Sequence, residues 1–244
     1  ANTLRRAATA DKIDATMKHL SKQFAGGIAL FVLFCSGCVS LERSSPERHY
    51  FVIELPRSAN SPETASDLIL SVGNMRISPR YADRSLVYRT SDTSFESDFY
   101  NQFLTSPDTM ISEELRKGLA AARQFKYVLG PADAQQPNYV LEGSVNALYG
   151  DFRNPSQPAA VLELEFFLYD DNSNSSGLVA QKRYLKSVPL KERSPEALVK
   201  GWDQALQEIV VALAADLKSM NLSSKNSIPP VSPGKDMNDA AESR

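Results

Sequence analysis

Three segments in the second half of the chain alternate apolar and polar residues, which is the period of a β-strand with one buried face. They run from Asn138 to Phe152, from Ala159 to Tyr169 and from Leu178 to Val188. The turn-forming sequence DDNSNSSG lies between the second and the third and predicts a hairpin. A sheet that is apolar on one face needs a covering layer, so these strands restrict the chain to folds in which other elements pack on that face.

Two segments with helical periodicity can supply the covering layer. Ser106 to Phe125 begins with Ser-Pro-Asp, which is typical of a helix start, and its apolar residues recur every three or four positions. Ser194 to Met220 carries one continuous apolar stripe, made of Leu198, Trp202, Leu206, Ile209, Leu213 and Leu217. Because Trp202 lies on this stripe, we expect it in the core; the alternative is an exposed anchor for a partner.

Four shorter strands are predicted before the first helix, and a fifth follows that helix. They are Arg48 to Leu55, Leu68 to Ser78, Ser85 to Thr90, Asp98 to Leu104 and Phe125 to Leu129. The predicted fold class is therefore α+β, a mainly antiparallel sheet with two amphipathic helices packed on one face. We expect the three long strands to form the middle of this sheet.

Charged residues in the predicted hairpin indicate how its two strands are aligned. Lys182, Arg183 and Lys186 lie on one strand, and Glu163 and Glu165 lie on the other. Opposite charges on facing strands stabilise a sheet, so we expect these cations to pair with the two glutamates across the hairpin.

Residues 17–37 have the composition of a secretory signal peptide. The stretch begins with lysines, continues with an uncharged and mostly apolar run from Phe24 to Phe34, and ends with small residues directly before Cys38. The apolar run is shorter than the roughly 20 residues that a membrane-spanning helix requires. We therefore predict a segment that directs export and is removed.

Small residues that lead into a cysteine resemble the lipobox of bacterial lipoproteins, in which the cysteine becomes the first residue and carries lipid on its thiol and its amino terminus. Ser36, Gly37 and Cys38 match this pattern, whereas Cys35 stands where the lipobox usually has leucine. We therefore predict that Cys38 is the lipidation site. The alternative is an ordinary signal peptide, or an uncleaved anchor, that contains a cysteine by chance.

The remaining boundaries follow from composition. Residues 1–16 precede the first methionine, Met17, and this N-terminal extension is left unassigned. We predict that 38–47 is a polar tether and that 48–220 is the folded domain. Residues 221–244 are rich in serine, proline and charge, and they predict a disordered tail.

The sequence contains no residue set typical of an enzyme, a metal site or a cofactor site, so we predict a protein without catalytic activity or cofactor. Its only histidines are His19, in the signal, and His49, at the start of a strand. A Ser-His-Asp set would have at most one histidine available, and no metal-ligand pair exists. The alternative is a secreted hydrolase whose site the sequence does not reveal; replacing His49 by alanine would test it. The formal net charge of -2 does not favour binding to nucleic acid.

Aromatic residues on and before the fourth short strand indicate a contact surface. Phe95, Phe99, Tyr100 and Phe103 occupy both faces of this stretch, so they cannot all point into one core. An apolar face outside the core is typical of a surface that binds a partner. The alternative is packing of these rings under a loop.

The segment ISPRYADR, residues 77–84, followed by LVYR, residues 86–89, resembles the signature of the ABC-type transport auxiliary lipoproteins, a family that includes paraquat-inducible protein C. The motif residues are Pro79, Tyr81, Asp83, Arg84, Tyr88 and Arg89. Ala82 stands where the family commonly has leucine, and Phe103 stands where it usually has tryptophan. We expect the motif to shape a turn and fill a core rather than to contact a ligand.

This resemblance implies a function that composition cannot show. Proteins of the family accompany ABC transporters that contain a mammalian-cell-entry (MCE) subunit, and these systems move phospholipid or other apolar molecules between the inner and outer membranes. The resemblance thus implies a non-catalytic accessory subunit, lipid-anchored to the outer membrane and facing the periplasm. The implied partner is the MCE subunit, and association into a homo-oligomer is left open. The alternative function is an envelope assembly lipoprotein of the lipopolysaccharide-assembly type.

Overall fold

The computed structural model describes residues 47–56, 66–171 and 177–223. Within these residues the chain forms a nine-stranded sheet, two α-helices and a short 3-10 turn, Pro79–Tyr81. In chain order the elements are β1 (His49–Phe51), β2 (Ile69–Val72), β3 (Arg76–Ile77), β4 (Ser85–Arg89), β5 (Phe95–Phe103), α1 (Pro107–Ala121), β6 (Tyr127–Leu129), β7 (Tyr139–Asp151), β8 (Ala159–Asp170), β9 (Gly177–Pro189) and α2 (Pro195–Ser219).

Several sequence-based predictions concern residues outside the described part and stay predictions. They are the N-terminal extension 1–16, the signal peptide 17–37, the lipidation site Cys38, nearly all of the tether 38–47 and the tail beyond Ser223. Within the described residues, neither helix combines the length and the apolar character that crossing a membrane would take.

The predicted α+β class is confirmed, although the sheet is mixed rather than mainly antiparallel. β7 pairs antiparallel with β8, β8 with β9, and β4 with β5. The other five pairings between described strands are parallel: β1 with β5, β2 with β6, and β2, β3 and β4 with β7. Each parallel pairing has at most three residue pairs. Strands this short carry too little pattern to predict their direction.

β7 joins the two halves of the sheet. One of its edges pairs with β8 along nearly the whole strand, and its other edge pairs in turn with β2, β3 and β4. The predicted strand from Leu68 to Ser78 is therefore two strands, interrupted between Val72 and Arg76. Among the described strands β9 pairs only with β8, so it lies at an edge of the sheet and not in the middle, where we expected it.

The longer helix, α2, packs on the sheet as predicted, and its apolar stripe is buried. Trp202, Leu206 and Ile209 have no solvent-exposed surface. The indole Nε1 of Trp202 donates a hydrogen bond of 3.1 Å to the main-chain oxygen of Val161 on β8. This bond satisfies the only polar group of a fully buried side chain. The prediction that Trp202 is a core residue is confirmed.

Glycines let both helices approach their neighbours closely. A Cβ atom built on Gly201 of α2 would lie 2.6 Å from the Cβ atom of Ala160 on β8. A Cβ atom on Gly118 of α1 would lie 2.7 Å from a methyl carbon of Val210 on α2. Real Cβ atoms do not come this close to other heavy atoms, so these two glycines set the distance of α2 from β8 and from α1.

The predicted charge pairs across the hairpin are formed only in part. Arg183 donates a hydrogen bond to Glu163 on β8, as expected. Lys182 instead lies 3.4 Å from Asp216 of α2, and Lys186 also pairs with that helix. Alternate residues of a strand point to opposite faces, so Arg183 faces away from the helices and the two lysines face them.

We expect Trp202→Ala to lower the free energy of unfolding by about 3–5 kcal/mol, because it leaves a cavity where a buried aromatic side chain was. Domains of this kind are stable by about 5–15 kcal/mol. Urea denaturation of the chain from Val39 onward, followed by circular dichroism, measures the change. Val211→Ala, an exposed position on the same helix, is the control and should stay within about 0.5 kcal/mol of the parent. An unchanged midpoint for Trp202→Ala would contradict the packing described here.

Candidate contact surface

Several residues of the sequence motif pack on the outer face of the sheet, which is the face opposite the helices. Pro79 begins the 3-10 turn, and Tyr81, at the end of the turn, is buried and stacks on Tyr149 of β7 with ring centroids 6.1 Å apart. Phe95 of β5 meets Tyr149 edge-on at 5.7 Å. Tyr149 faces outward because the next residue, Gly150, faces inward: a Cβ atom there would lie 3.1 Å from a leucine of α2.

Two arginines complete this outer group of side chains, which we name the motif cluster: Arg80, Tyr81, Arg89, Phe95 and Tyr149. The guanidinium carbons of Arg80 and Arg89 lie 5.1 and 5.7 Å from the centre of the Phe95 ring, within the range of cation–π attraction. Burial raises the pKa of Tyr81, and the nearby Arg80 opposes this shift. The motif cluster holds the 3-10 turn against the sheet.

Tyr88, the next motif residue, points to the opposite face and binds Asp98. Its hydroxyl donates a hydrogen bond of 2.8 Å to Asp98 Oδ2, and its ring stacks on Phe152 with centroids 5.1 Å apart. Asp98 also accepts hydrogen bonds from the side chain of Asn101 and from the main-chain N–H groups of Tyr100 and Asn101. Burial alone would raise the pKa of Asp98, but these hydrogen bonds hold it below its ordinary value. Burial and the bond to Asp98 both raise the pKa of Tyr88.

The hydrogen bonds to Asp98 hold an irregular stretch of β5. Between the paired residues Ser97 and Gln102, five steps along β5 oppose two steps along β4. The extra residues form a bulge, which interrupts the alternation of side chains between the two faces. As a result the consecutive residues Phe99 and Tyr100 are both exposed, with 59% and 42% of their surface accessible.

The structure divides the predicted contact surface into buried and exposed parts. Phe103 is only 1% exposed, and its ring centroid lies 5.5 Å from that of Trp202, so it is a core residue. Phe95 is half-buried in the motif cluster. Of the four predicted residues only Phe99 and Tyr100 are exposed, and their rings meet edge-to-face at 5.2 Å.

The strand beside β5, β1, extends this exposed surface. We name it the edge patch and define it as the exposed residues Tyr50, Val52, Phe99, Tyr100 and Leu104. The guanidinium carbon of Arg48 lies 4.3 Å from the centre of the Phe99 ring, and that of Arg84 lies 5.7 Å from the centre of the Tyr50 ring. Arg84 also donates a hydrogen bond of 3.2 Å to the main-chain oxygen of Leu104. The two arginines thus connect β1, β5 and the turn before β4.

The sequence did not identify Tyr50 or Leu104 as surface residues. It predicted a strand from Arg48 to Leu55, and the aromatic content of that strand is equally typical of a core. Their exposure depends on the position of β1 at the edge of the sheet, where β5 is its only partner among the described strands. Asp83, a further motif residue, accepts a hydrogen bond from the main-chain N–H of Arg84 and shapes the turn before β4.

The chain that follows β1 is held by two carboxylates, one on each helix, which we name the carboxylate clamp. Leu55 N–H donates a hydrogen bond of 2.9 Å to Glu114 Oε2 of α1, and Glu54 N–H donates one of 3.0 Å to Asp203 Oδ1 of α2. Burial raises the pKa of Asp203 to about 6. The hydrogen bond from Glu54 N–H opposes this shift, while the negative charges of Glu54 and Glu114 add to it.

An open cleft of about 520 Å³ lies beside Tyr88 and Asp98, at the start of α2. Glu96 and Asp98 line one part of it, and Arg193, which lies 4.8 Å from the centre of the Phe152 ring, lines another. In the described part of the chain no three or more histidine, cysteine, aspartate or glutamate side chains are grouped so that they could hold a metal ion. The cleft is thus lined by side chains of both charges, and two of its lining residues, Tyr88 and Asp98, already bind each other.

Comparison with known proteins relates this fold and motif to a family. The family model described as ABC-type transport auxiliary lipoprotein component matches residues 51–214. A solved structure from Xanthomonas campestris, assigned to the DUF330 family, has a TM-score of 0.62 at 14% identity and covers 70% of this chain and 95% of its own. Another, of an uncharacterized protein, has a TM-score of 0.56 at 16% identity and covers 70% of this chain and 99% of its own. No curated protein matches the chain.

We expect Asp203→Asn to change stability in a pH-dependent way. The pKa of Asp203 is raised above its unfolded value, so the folded state binds its proton more tightly, and this contribution to stability is lost as pH rises from about 4 to about 6. Asparagine keeps the oxygen that accepts from Glu54 N–H and carries no charge. The free energy of unfolding of the variant minus that of the parent should therefore be larger at pH 7 than at pH 4. Urea denaturation at the two pH values measures this difference. A stability difference that does not vary with pH would contradict the raised pKa.

Proposed function

This chain belongs to the ABC-type transport auxiliary lipoproteins, and from that membership we propose that it is the non-catalytic, lipid-anchored accessory subunit of an ABC transporter with an MCE subunit. The transporter moves phospholipid or another apolar substrate between the inner and outer membranes. The observation that carries this proposal is the family match, which runs from the last residue of β1 into the final turns of α2. The matched residues include the motif cluster and most of the edge patch.

The polar groups beside the cleft support a non-catalytic role. Asp98 accepts hydrogen bonds from Tyr88, from the side chain of Asn101 and from two main-chain N–H groups. The pKa of Asp98 is lowered and that of Tyr88 is raised, so both move away from neutrality. A general acid or base is most effective when its pKa is near the working pH. This arrangement suits a group that fixes the shape of β5.

The proposed anchor is lipid on Cys38. One acyl chain gives only marginal membrane binding, and stable anchoring takes more than one lipid signal. A lipoprotein cysteine provides several chains, because both its thiol and its amino terminus carry lipid. Val39 follows the cysteine, whereas an aspartate at that position often retains lipoproteins in the inner membrane. We therefore propose the outer membrane as the location, with the domain in the periplasm.

The edge patch is the surface by which, in this proposal, the domain contacts another component of the envelope. The aromatic rings of the motif cluster pack against one another and against two arginines. Phe99 and Tyr100 instead leave about half of their surface in solvent. Adjacent exposed aromatic rings of this kind mark a surface that another component covers.

We expect Cys38→Ser to abolish lipid attachment and to leave the domain folded. The thiol is the soft nucleophile that forms the thioether with the lipid, and a hydroxyl does not replace it. Metabolic labelling with a radioactive fatty acid, followed by purification of the protein, measures attachment. Cys35→Ser is the matched control and should be labelled like the parent. Undiminished label on the Cys38→Ser protein would refute the assignment.

The full-length protein with a C-terminal affinity tag should co-purify with an MCE subunit and the permease and ATPase of its transporter. The membranes are solubilised in mild detergent, and mass spectrometry identifies the captured proteins. An unrelated outer-membrane lipoprotein with the same tag controls for capture through the shared membrane. Capture of lipopolysaccharide-assembly proteins in place of transporter subunits would contradict the proposal and favour the alternative function.

A further inference from the structure

We propose that the edge patch rests on the lipid bilayer, so that the domain is held against the membrane by its own side chains as well as by its anchor. This inference rests on the proposed function, because it takes the lipid on Cys38 as the anchor. The inference goes further than the proposed function because it identifies the lipid bilayer as the envelope component that the edge patch contacts. The transporter subunit then binds the domain elsewhere, on a surface that faces away from the membrane.

The exposed apolar residues are concentrated at this one place. Ten large apolar side chains are exposed among the described residues, and five of them form the edge patch. Three of the four exposed aromatic residues, Tyr50, Phe99 and Tyr100, are among these five. Apolar side chains scattered over a surface need no explanation, whereas a group of aromatic ones marks an interaction site.

The chemistry of the edge patch matches the boundary between lipid headgroups and acyl chains. Tyrosine rings favour this boundary because one end is apolar and the other is polar. Arg48 and Arg84 lie against the rings of Phe99 and Tyr50, which places a guanidinium group beside each ring. An arginine can lay its apolar stem along such a surface while its charged end reaches the lipid phosphates.

Net charge does not drive this contact. Each arginine beside the edge patch follows an exposed carboxylate, since Glu47 precedes Arg48 and Asp83 precedes Arg84. These four charges sum to zero, so attraction to anionic lipid is weak and burial of the aromatic rings provides most of the binding. Binding should therefore depend little on salt concentration, unlike binding through a basic patch.

The edge patch is also the part of the domain nearest the anchor along the chain. Cys38 is eleven residues before His49, the first residue of β1. Whatever its conformation, a connection of eleven residues spans at most about 36–40 Å. His49 is paired with Asn101, two residues from Phe99, so lipid on Cys38 keeps the start of β1, and the rings beside it, within reach of the lipid headgroups.

Another copy of this chain is the competing occupant, and β1 argues against it. Edge strands bind other chains through a row of unpaired main-chain groups, and β1 is only three residues long. The bulge at Asp98 also makes Phe99 and Tyr100 project from the sheet as an edge-to-face pair. Projecting rings can insert into a fluid bilayer without a preformed pocket on the other side.

The direct test uses the lipidated full-length protein in vesicles of phosphatidylethanolamine and phosphatidylglycerol, part of whose acyl chains are brominated. Phe99→Trp places a fluorescent reporter in the edge patch, and Leu185→Trp places one at the other edge of the sheet, where Leu185 is 62% exposed. The native Trp202 is buried and contributes the same background to both. We expect brominated lipid to quench the Phe99→Trp emission several-fold more strongly. Equal quenching of the two reporters, or quenching of neither, would overturn the inference.

A second test removes the anchor, so that failure of the proposed function does not obscure the result. The chain from Val39 onward contains every described residue and is exported behind an ordinary signal peptide, without lipid. Its partition onto vesicles is measured by sedimentation over a lipid titration, at low and high salt. Phe99→Ser with Tyr100→Ser should lower the partition coefficient about tenfold or more, whereas Leu185→Ser should leave it unchanged. Melting curves show whether each variant is folded.

The outcomes separate this inference from the proposed function. Loss of vesicle binding in the double variant, with capture of the MCE subunit intact, supports the bilayer as the occupant. Unchanged vesicle binding together with lost capture would show that the edge patch is a protein contact, and it would overturn the inference while leaving the transporter assignment in place. No capture by the parent protein would contradict the proposed function and leave the vesicle result valid.

Discussion

The whole fold depends on how closely α2 lies on the sheet. Gly201 has no Cβ atom, so α2 can lie directly against the methyl group of Ala160. This lets the indole of Trp202 reach the main-chain oxygen of Val161. The same ring packs on Phe103, the last residue of β5, so the helix also holds the end of that strand in the core. Interiors are close-packed, and moving the helix outward by the width of a methyl group would break both contacts.

From Phe103 this constraint extends along β5 to the surface. The strand is held in the core at its end and in the motif cluster, through Phe95, at its start. Between these two points it has more residues than β4 can pair with, and Asp98 gathers the excess into a bulge. The motif residue Tyr88, by binding Asp98, therefore supports an exposed surface to which it does not itself belong.

The long elements could be predicted because each repeats its pattern over many residues, as α2 and β7 do. The parallel pairings could not, because β2 and β3 have four and two residues and their common partner lies more than sixty positions away. Phe99 and Phe103 could not be told apart either, since the bulge at Asp98 breaks the period of two on which the prediction depended. The pairing of Lys182 with α2 could have been found, because it is adjacent to Arg183 and must face the other way.

The carboxylate clamp has a mechanical consequence. A pull through the chain before His49 acts first on β1, whose three residues pair with one strand in the described part of the chain and would peel away easily. Peeling cannot continue past Glu54 and Leu55 without breaking their hydrogen bonds to Asp203 and Glu114. Force is thereby divided between the two helices, which share one core with the sheet. If lipid on Cys38 holds the chain, as proposed, a domain fastened in this way can be drawn toward or away from a membrane as one body, without unfolding from its N-terminal end.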